Sequence, residues 1–552
     1  MFCYQCEQAA QRTGCTSMGV CGKDPETAAL QDLLIHAVKG ISVYAHRAAK
    51  VGLRDAQLDS FTIDALFATV TNVNFSPKRM QLLLEQAAVM KEKARVLYET
   101  ALCQKLFAAE SLNGATCWEP AALLNDLIRQ GEQVGIEARL EGDGADITGL
   151  IEMLVYGIKG MAAYAHHSWL MGQTDDSVAA FIYEVMDYLE SGQRDVEKLL
   201  GYCMQCGTVN FKVMELLDRG HTSHLGHPEP TSVRMDPIPG KCILVSGHDL
   251  GDLEALLQQT EGKGINIYTH GEMLPAHGYP QLKKYPHLVG NYGGAWQDQA
   301  REFDAFPGAI LMTTNCIQKP KQSYISRIFT CGLVAFPGVS HVKGREFAPV
   351  IEASLSETGF LSSGPGKTTF VGFGHHAILG VADKVIEAVK AGAIQRFFVI
   401  GGCDGARPGR NYYTEFVEQL PKDTVILTLG CAKFRFNSLE LGTIGGIPRL
   451  LDCGQCNDSF SAIRVALALA EAFKCGVNEL PLTLNISWYE QKAVAVLLTL
   501  LSLGVKNIRL GPTLPAFATP FIIEVLQSKF GIQGIGSAEN DISLDLKMNL
   551  TN

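Results

Sequence analysis

Several absences narrow the reading before any motif is considered. The longest apolar run, residues 493–503, falls short of the roughly 20 residues a membrane-crossing helix needs, so no membrane partner is expected. Basic residues are outnumbered, 47 Lys and Arg against 57 Asp and Glu, giving a formal net charge of −10. At that balance no basic patch large enough to neutralise a phosphate backbone is expected, and so no nucleic-acid partner either. The opening MFCYQCEQ lacks a basic stretch followed by an apolar one, the pattern of a secretory leader, and a cytoplasmic location is the expectation. Nucleotide-binding P-loop, serine-elbow and flavin fingerprints are also missing. Tryptophan is scarce, with only 4 in 552 residues.

Cysteine is the residue present in an unexpected amount. The chain has 16 in 552 residues, too dilute for a disulfide-stapled secreted scaffold yet high for a reduced compartment. Clustered cysteines there point to metal or redox chemistry. With 47% hydrophobic and 19% charged residues, the composition is that of an ordinary folded protein. At roughly 150 residues per domain the length predicts three to four domains.

Residues 27–219 read as helical, with apolar side chains recurring at three and four, as in Leu30, Leu33, Leu34, Ala37, Val38 and Ile41. Residues 33–52 (LLIHAVKGISVYAHRAAKVG) and 153–172 (MLVYGIKGMAAYAHHSWLMG) align without gaps. The triplet Val73-Asn74-Phe75 recurs as Val209-Asn210-Phe211, and in each case an amphipathic helix is expected to follow. The echo predicts two related helical bundles. Residues 227–240 hold four prolines and read as a linker, after which short apolar runs alternate with helical segments. That alternation predicts parallel-sheet α/β domains, with a second boundary at 362–367. The divisions expected are therefore 1–226, 227–363 and 364–552.

Cys3, Cys6, Cys15 and Cys21 follow C-x2-C-x8-C-x5-C. A C-x-x-C turn converges two thiolates, and two more complete a four-thiolate shell that suits a [4Fe–4S] cluster or tetrahedral zinc. A second set of ligand-type residues sits just beyond strand-like runs: His248 after CILV, Glu272 after INIY, Cys316 after ILMT, Cys403 after FFVI, Cys431 after VILTL, and Cys453 and Cys456 after LL. Ligands of open α/β sheets lie beyond the carboxyl ends of strands, so these residues are expected to share one site where two domains face each other. Imidazole and carboxylate added to thiolates point to iron with some oxygen coordination and open positions.

Together the N-terminal spacing and the segments SGHDL, HGEMLPAHG, TTNC, GGCDGAR, LGCAKFRFN, GQCND and SWYEQK closely resemble the hybrid-cluster (prismane) proteins. The resemblance spans essentially the whole chain. It implies a multidomain α and α/β architecture, with an N-terminal helical domain of two three-helix bundles followed by two Rossmann-like parallel-sheet α/β domains. It also implies two iron–sulfur clusters. Cys3, Cys6, Cys15 and Cys21 would hold a [4Fe–4S] cluster. His248, Glu272, Cys316, Cys403, Cys431, Cys456 and Glu490 would hold a hybrid [4Fe–2O–2S] cluster, with a persulfide at Cys403 and Lys492 alongside. The implied activity is reduction of hydroxylamine to ammonia and water, with an external electron-donor protein, and Glu272, Glu490 and Lys492 as proton handlers. Nitric oxide reduction in nitrosative-stress defence, or protein S-nitrosylation and nitric-oxide sensing, are the alternatives. Glu490 and Lys492 are two apart and cannot share a helix face, so one is expected in the turn opening the helix from Ala493.

Other features read as packing. The C-x-x-C of Cys203 and Cys206 lies in helical pattern without a preceding strand, and Cys453 neighbours the motif that carries Cys456. His46 and His166 recur in the helical echo and read as bundle residues, and 372–376 (GFGHH) as a packing turn.

Overall fold

The computed structural model describes residues 1–104, 108, 110–407 and 410–547. Seven helices come first: α1 (Pro25–Ala49), α2 (Ala56–Ala68), α3 (Pro77–Cys103), α4 (Leu124–Val134), α5 (Ile136–Leu170), α6 (Asp176–Glu190) and α7 (Val196–Leu225). Most start on a side-chain cap that satisfies an otherwise orphaned amide. Asp24 accepts from the Thr27 N–H at 2.7 Å, and Asp55, Ser76, Asp175 and Asp195 do the same for α2, α3, α6 and α7.

Two three-helix bundles are present, but they have exchanged their middle members. α1 and α3 pair and are closed by α6, while α5 and α7 pair and are closed by α2. The repeated histidines mark the exchange: His46 on α1 lies 3.9 Å from Asp187 of α6, and His166 on α5 lies 2.7 Å from Asp64 of α2. The long echo is real at the level of structure, since 33–52 and 153–172 end α1 and α5 on glycines at φ +83° and +73°. The short echo is not. Val73-Asn74-Phe75 precedes α3, whereas Val209-Asn210-Phe211 lies inside α7, so the expectation that each opens a helix is corrected.

Beyond the bundles lie two six-stranded parallel sheets. The first comprises β1 (Lys241–Ser246), β2 (Ile265–Thr269), β3 (Leu288–Asn291), β4 (Ala309–Met312), β5 (Ile328–Thr330) and β6 (Ser340–His341), in the order β3-β2-β1-β4-β5-β6. The second comprises β7 (Arg396–Gly402), β8 (Thr424–Thr428), β9 (Leu450–Asp452), β10 (Leu482–Ser487), β11 (Arg509–Gly511) and β12 (Gln533–Gly534), in the order β9-β8-β7-β10-β11-β12. Both have the 3-2-1-4-5-6 order of a doubly wound Rossmann sheet. Their central strands are buried on both faces, which is why they read as continuous apolar runs.

The proline-rich 227–240 segment is not wholly irregular. Thr231–Arg234 forms a strand paired antiparallel with Thr368–Val371, tying the entry to the first sheet to the entry to the second. Helix α8 (Gln491–Ser502), which follows β10, leaves its own sheet to pack on α5 and α7. Its backbone approaches Gly160 and Gly207, where a Cβ would strike the carbonyls of Gln491 and Leu498. Among the described residues no helix is long and apolar enough to cross a membrane.

Candidate metal centre

The N-terminal cysteines lie on one compact loop. Cys3 and Cys15 exchange backbone hydrogen bonds, N–H to O at 3.0 Å and 2.8 Å, which folds the C-x2-C turn back on its partner. Cys6 and Cys15 are buried and Cys3 and Cys21 half-buried. Burial pushes the Cys6 thiol well above its usual range, and Cys21, Cys3 and Cys15 add to it; Cys21 is raised by burial too, with Lys23 opposing. The thiols thus face one another. Four thiols gathered on one loop suit a metal group.

This loop is stitched to the segment that opens α8. The Glu7 N–H donates to Tyr489 O at 3.0 Å, Gln491 Nε2 to Gln5 O at 2.6 Å, and the Tyr489 hydroxyl to Gln8 Oε1 at 3.2 Å. Glu7 is itself held by Arg410 at 2.7 Å and Thr513 at 3.0 Å.

The second constellation follows from the strand order. A ligand crevice forms where the order of winding reverses, between β1 and β4 in one sheet and β7 and β10 in the other. His248 follows β1 and Cys316 follows β4; Cys403 follows β7 and Glu490 follows β10. Glu272, Cys431 and Cys456 follow the neighbouring β2, β8 and β9. Ligand atoms of His248, Glu272 and Cys456 all lie within 4.8 Å of one another. His248 Nε2 is 3.8 Å from Glu272 Oε2, which accepts from the Cys456 N–H at 2.6 Å. Cys316, Cys403 and Cys431 pack with Trp296 and Tyr489 in a buried cluster beside them.

Glu490 caps α8, accepting from the Lys492 N–H at 2.8 Å, which places it in the opening turn as the sequence implies. Lys492 Nζ lies 3.8 Å from Glu490 Oε1, 3.4 Å from Asn315 Oδ1 and 3.5 Å from Asn457 Oδ1. Burial opposes its charge, but Cys456, Glu490, Cys316 and Glu272 around it outweigh that and raise its pKa. Burial raises Glu490, against the pull of Lys492. It also holds the thiols of Cys316, Cys403, Cys431 and Cys456 above their usual range, and pushes His248 well below its own, aided by Lys492.

Those directions test whether a metal group fits. Four buried thiols, two carboxylates and a neutral imidazole face a single lysine, so anionic thiolates there need additional positive charge. His248 Nδ1 is bonded to Thr314 Oγ1 at 2.8 Å, which aims Nε2 inward, and buried Nε2 makes no hydrogen bond. Buried Glu272 Oε1 is likewise unpartnered. The donor set suits an iron–sulfur group with mixed nitrogen and oxygen ligation.

Several contributors carry no motif. Trp296 Nε1 and Gln297 Nε2 each donate to Cys403 O at 3.2 Å, and Gln299 Nε2 to Cys316 O at 2.7 Å, pinning two cysteine turns through their carbonyls. Trp296 stacks on Tyr489 with ring centroids 4.0 Å apart. His167 on α5 and His221 on α7 reach the same region, each buried with an unpartnered ring nitrogen. Asn315 and Asn457, inside TTNC and GQCND, were the only ones that a motif could have disclosed.

Cys453 packs in a separate hydrophobic core with its sulfur 3.8 Å from Leu451 O, apart from the His248, Glu272 and Cys456 group. Cys203 and Cys206 are buried in the helical core. Gly372 of the 372–376 turn lies against the backbone of Glu229. A cavity of about 230 Å³ opens from Cys403, Cys456, Glu490 and Lys492. It runs between β7, β10 and α8, past Val399, Leu484 and Val496, to exposed Asn478, Lys506 and Asn507.

Two Rossmann sheets presenting thiol, imidazole and carboxylate groups from their switch points, over a helical domain, define a class of protein suited to a buried redox metal centre. The chain belongs to the Prismane/CO dehydrogenase family, whose model matches residues 1–543. It is 56% identical over 543 residues to the hydroxylamine reductase of Rhodospirillum rubrum, covering 98% of this chain and 99% of that one. It is 55% identical over 549 residues to the hydroxylamine reductase of Geobacter sulfurreducens, covering 99% of each. Among solved structures, carbon monoxide dehydrogenase from Thermococcus sp. AM4 superposes with a TM-score of 0.56 at 16% identity, covering 99% of this chain and 90% of that one. Carbon monoxide dehydrogenase IV from Carboxydothermus hydrogenoformans gives 0.55 at 16% identity, covering 99% and 92%. At that identity the likeness concerns the fold.

Proposed function

We propose that the protein is a hydroxylamine reductase, converting hydroxylamine, two electrons and two protons to ammonia and water. The observation that supports this reading is that seven ligand-type side chains follow strands at the carboxyl edges of the two sheets, three of them (His248, Glu272 and Cys456) with ligand atoms mutually within 4.8 Å, and that His248 Nε2 and Glu272 Oε1 are buried without a hydrogen-bond partner. The like-named relatives at 55–56% identity over nearly the whole chain support it. The units are residues 1–226, 227–363 and 364–552, with catalysis between the last two and cytoplasmic as the location.

In this reading Cys3, Cys6, Cys15 and Cys21 hold a [4Fe–4S] cluster. His248, Glu272, Cys316, Cys403, Cys431, Cys456 and Glu490 hold a hybrid [4Fe–2O–2S] cluster, with Cys403 the persulfide position. When bound, these groups supply the electrons and an iron position open to a small nitrogenous substrate. The side chains supply the rest. Lys492 Nζ, kept protonated by the anionic groups around it, donates a proton to the hydroxylamine oxygen so that it leaves as water. Glu490 Oε1, 3.8 Å from Nζ, relays a fresh solvent proton to the lysine, which delivers it to the nitrogen as ammonia forms. Glu272 serves the same centre as a ligand through its unpartnered Oε1. The Trp296, Gln297 and Gln299 bonds keep the cysteine turns fixed during the cycle.

The test is anaerobic purification followed by iron, acid-labile sulfide and product analysis. Two four-iron clusters, one with oxygen replacing sulfur, predict about eight irons with fewer sulfides than irons. Ammonia should form from hydroxylamine with reduced methyl viologen. Equal iron and sulfide, stoichiometric zinc, or nitrous oxide from nitric oxide without ammonia from hydroxylamine would each overturn the reading.

A further inference from the structure

The two cysteine groups differ in access. Cys316, Cys403, Cys431 and Cys456 are at most 8% exposed, whereas Cys3 and Cys21 are half-buried on the N-terminal loop. Electron transfer between proteins needs close approach to a surface-lying centre, so the rim of this loop is where a donor can reach. That rim has an unusual composition. Met18 and Val20, between Cys15 and Cys21, are 54% and 58% exposed. The same loop and the segments touching it also carry cations without acidic partners. Arg12 is exposed on the turn three residues before Cys15. Exposed Lys319 abuts Gly22, its Cβ 3.8 Å from where a Cβ on that glycine would lie. Arg407 reaches the same loop, donating to Ala9 O at 3.4 Å.

Among the described residues no carboxylate lies within 4.0 Å of any of these three cations, and the nearby acids are committed elsewhere. Glu7 pairs with Arg410, Asp24 caps α1, and Glu137 lies 3.6 Å from the amino terminus. Lys321 is set aside because Asp304 neutralises it. Glu26, in the first turn of α1, is the exposed acid nearest in sequence. The chain as a whole carries −10, so unpaired cations on and beside a loop with exposed apolar side chains run against its net charge. Apolar centre and charged rim are the anatomy of a transient, electrostatically steered interface.

We propose that Met18, Val20, Arg12, Lys319 and Arg407 form the docking surface for an acidic one-electron carrier protein whose redox centre lies at its own surface. This rests on the reading of Cys3, Cys6, Cys15 and Cys21 as an electron-relay cluster and names its partner's chemistry. The step moves one electron: the carrier's reduced centre is oxidised by one equivalent and the cluster reduced by one, with no bond made or broken.

Reduced flavodoxin, an acidic flavin protein, is the probe, mixed anaerobically with the fully loaded protein in a stopped-flow spectrometer. Dithionite reduction is measured in parallel. For the unmodified protein the second-order rate should fall steeply as salt rises, because screening shortens the reach of exposed charges. Arg12→Glu with Lys319→Glu should lower the low-salt rate at least tenfold, leave dithionite reduction and iron content unchanged, and flatten the salt dependence. Met18→Ser with Val20→Ser should weaken flavodoxin binding by calorimetry about tenfold without changing the salt slope. The milder Lys319→Gln should fall between. A rate and salt slope untouched by charge reversal would overturn the docking surface. So would a charge-reversal loss seen equally with dithionite. Failure of dithionite to reduce any centre at the loop overturns the relay reading, and the proposal with it.

Discussion

Gly430 offers a sharp test of how the second centre is held. It precedes Cys431 and adopts φ +76°, ψ −173°, a region open essentially to glycine alone. A Cβ there would lie 2.5 Å from Gly402 O and 3.0 Å from its carbonyl carbon, one residue before Cys403. Carbon and oxygen settle at about 3.3 Å or more, so Gly430→Ala forces the two turns apart by about 0.8 Å. Metal ligands tolerate displacements of about 0.2 Å. The backbone strain costs about 1–3 kcal/mol and the overpacking a similar amount, together about 2–6 kcal/mol. The expected result is a protein whose iron content falls by about half, with the N-terminal cluster's electron paramagnetic resonance signal intact and a lowered thermal midpoint. Full iron with an unchanged midpoint would show that the Cys403 and Cys431 turns do not share a ligand site.

Two further outcomes follow from buried charge. Lys492→Met should retain iron but lose about 10²–10⁴-fold in kcat for hydroxylamine, the usual scale of a missing general acid; a kcat within threefold of the parent would remove Lys492 from the proton path. His277, bonded to Thr269 Oγ1 at 3.0 Å, is held at about 4 by burial against 6.5 when unfolded. Between those values the unfolded chain binds the proton and the folded one does not, so stability falls as pH drops from 6.5 towards 4. The penalty reaches about 2 kcal/mol at pH 5. Thermal melts should therefore show the parent losing more between pH 7 and pH 5 than His277→Gln, and parallel losses would contradict the assignment.

Much of this architecture was readable because six of the seven ligand-type residues in the α/β half end a short apolar run; Glu490, after LTLNIS and Trp488-Tyr489, does not. A buried parallel strand must be apolar on both faces and must stop at a polar or glycine turn, so CILV-SGH or VILTL-GC announces both a strand and what stands at its end. The same logic made the long repeat visible, since equivalent helices need equivalent core faces. The exchange of α2 and α6 was not readable. The loops at 50–55 and 171–175 have the same glycine and aspartate chemistry whichever bundle the next helix joins. The carbonyl anchors were also invisible. Trp296, Gln297 and Gln299 act on backbone oxygens, which any residue supplies, so no side-chain pattern marks their targets. Val209-Asn210-Phe211 shows the converse hazard: three residues are too few to carry a fold.

The bonds that tie Gln5 and Glu7 to the opening of α8 impose an order on the protein's making. The partners Gln491 and Gln5 are 486 positions apart. At 5–20 residues per second, a ribosome takes roughly 25–100 s to travel that distance. Throughout that interval Cys3, Cys6, Cys15 and Cys21 have left the ribosome without the wall that will cover them. Helix exchange lengthens the wait, because α1 and α3 cannot close before α6 emerges. These four thiols are thus enclosed late, and any metal group they hold can be sealed in only after α8 has been made.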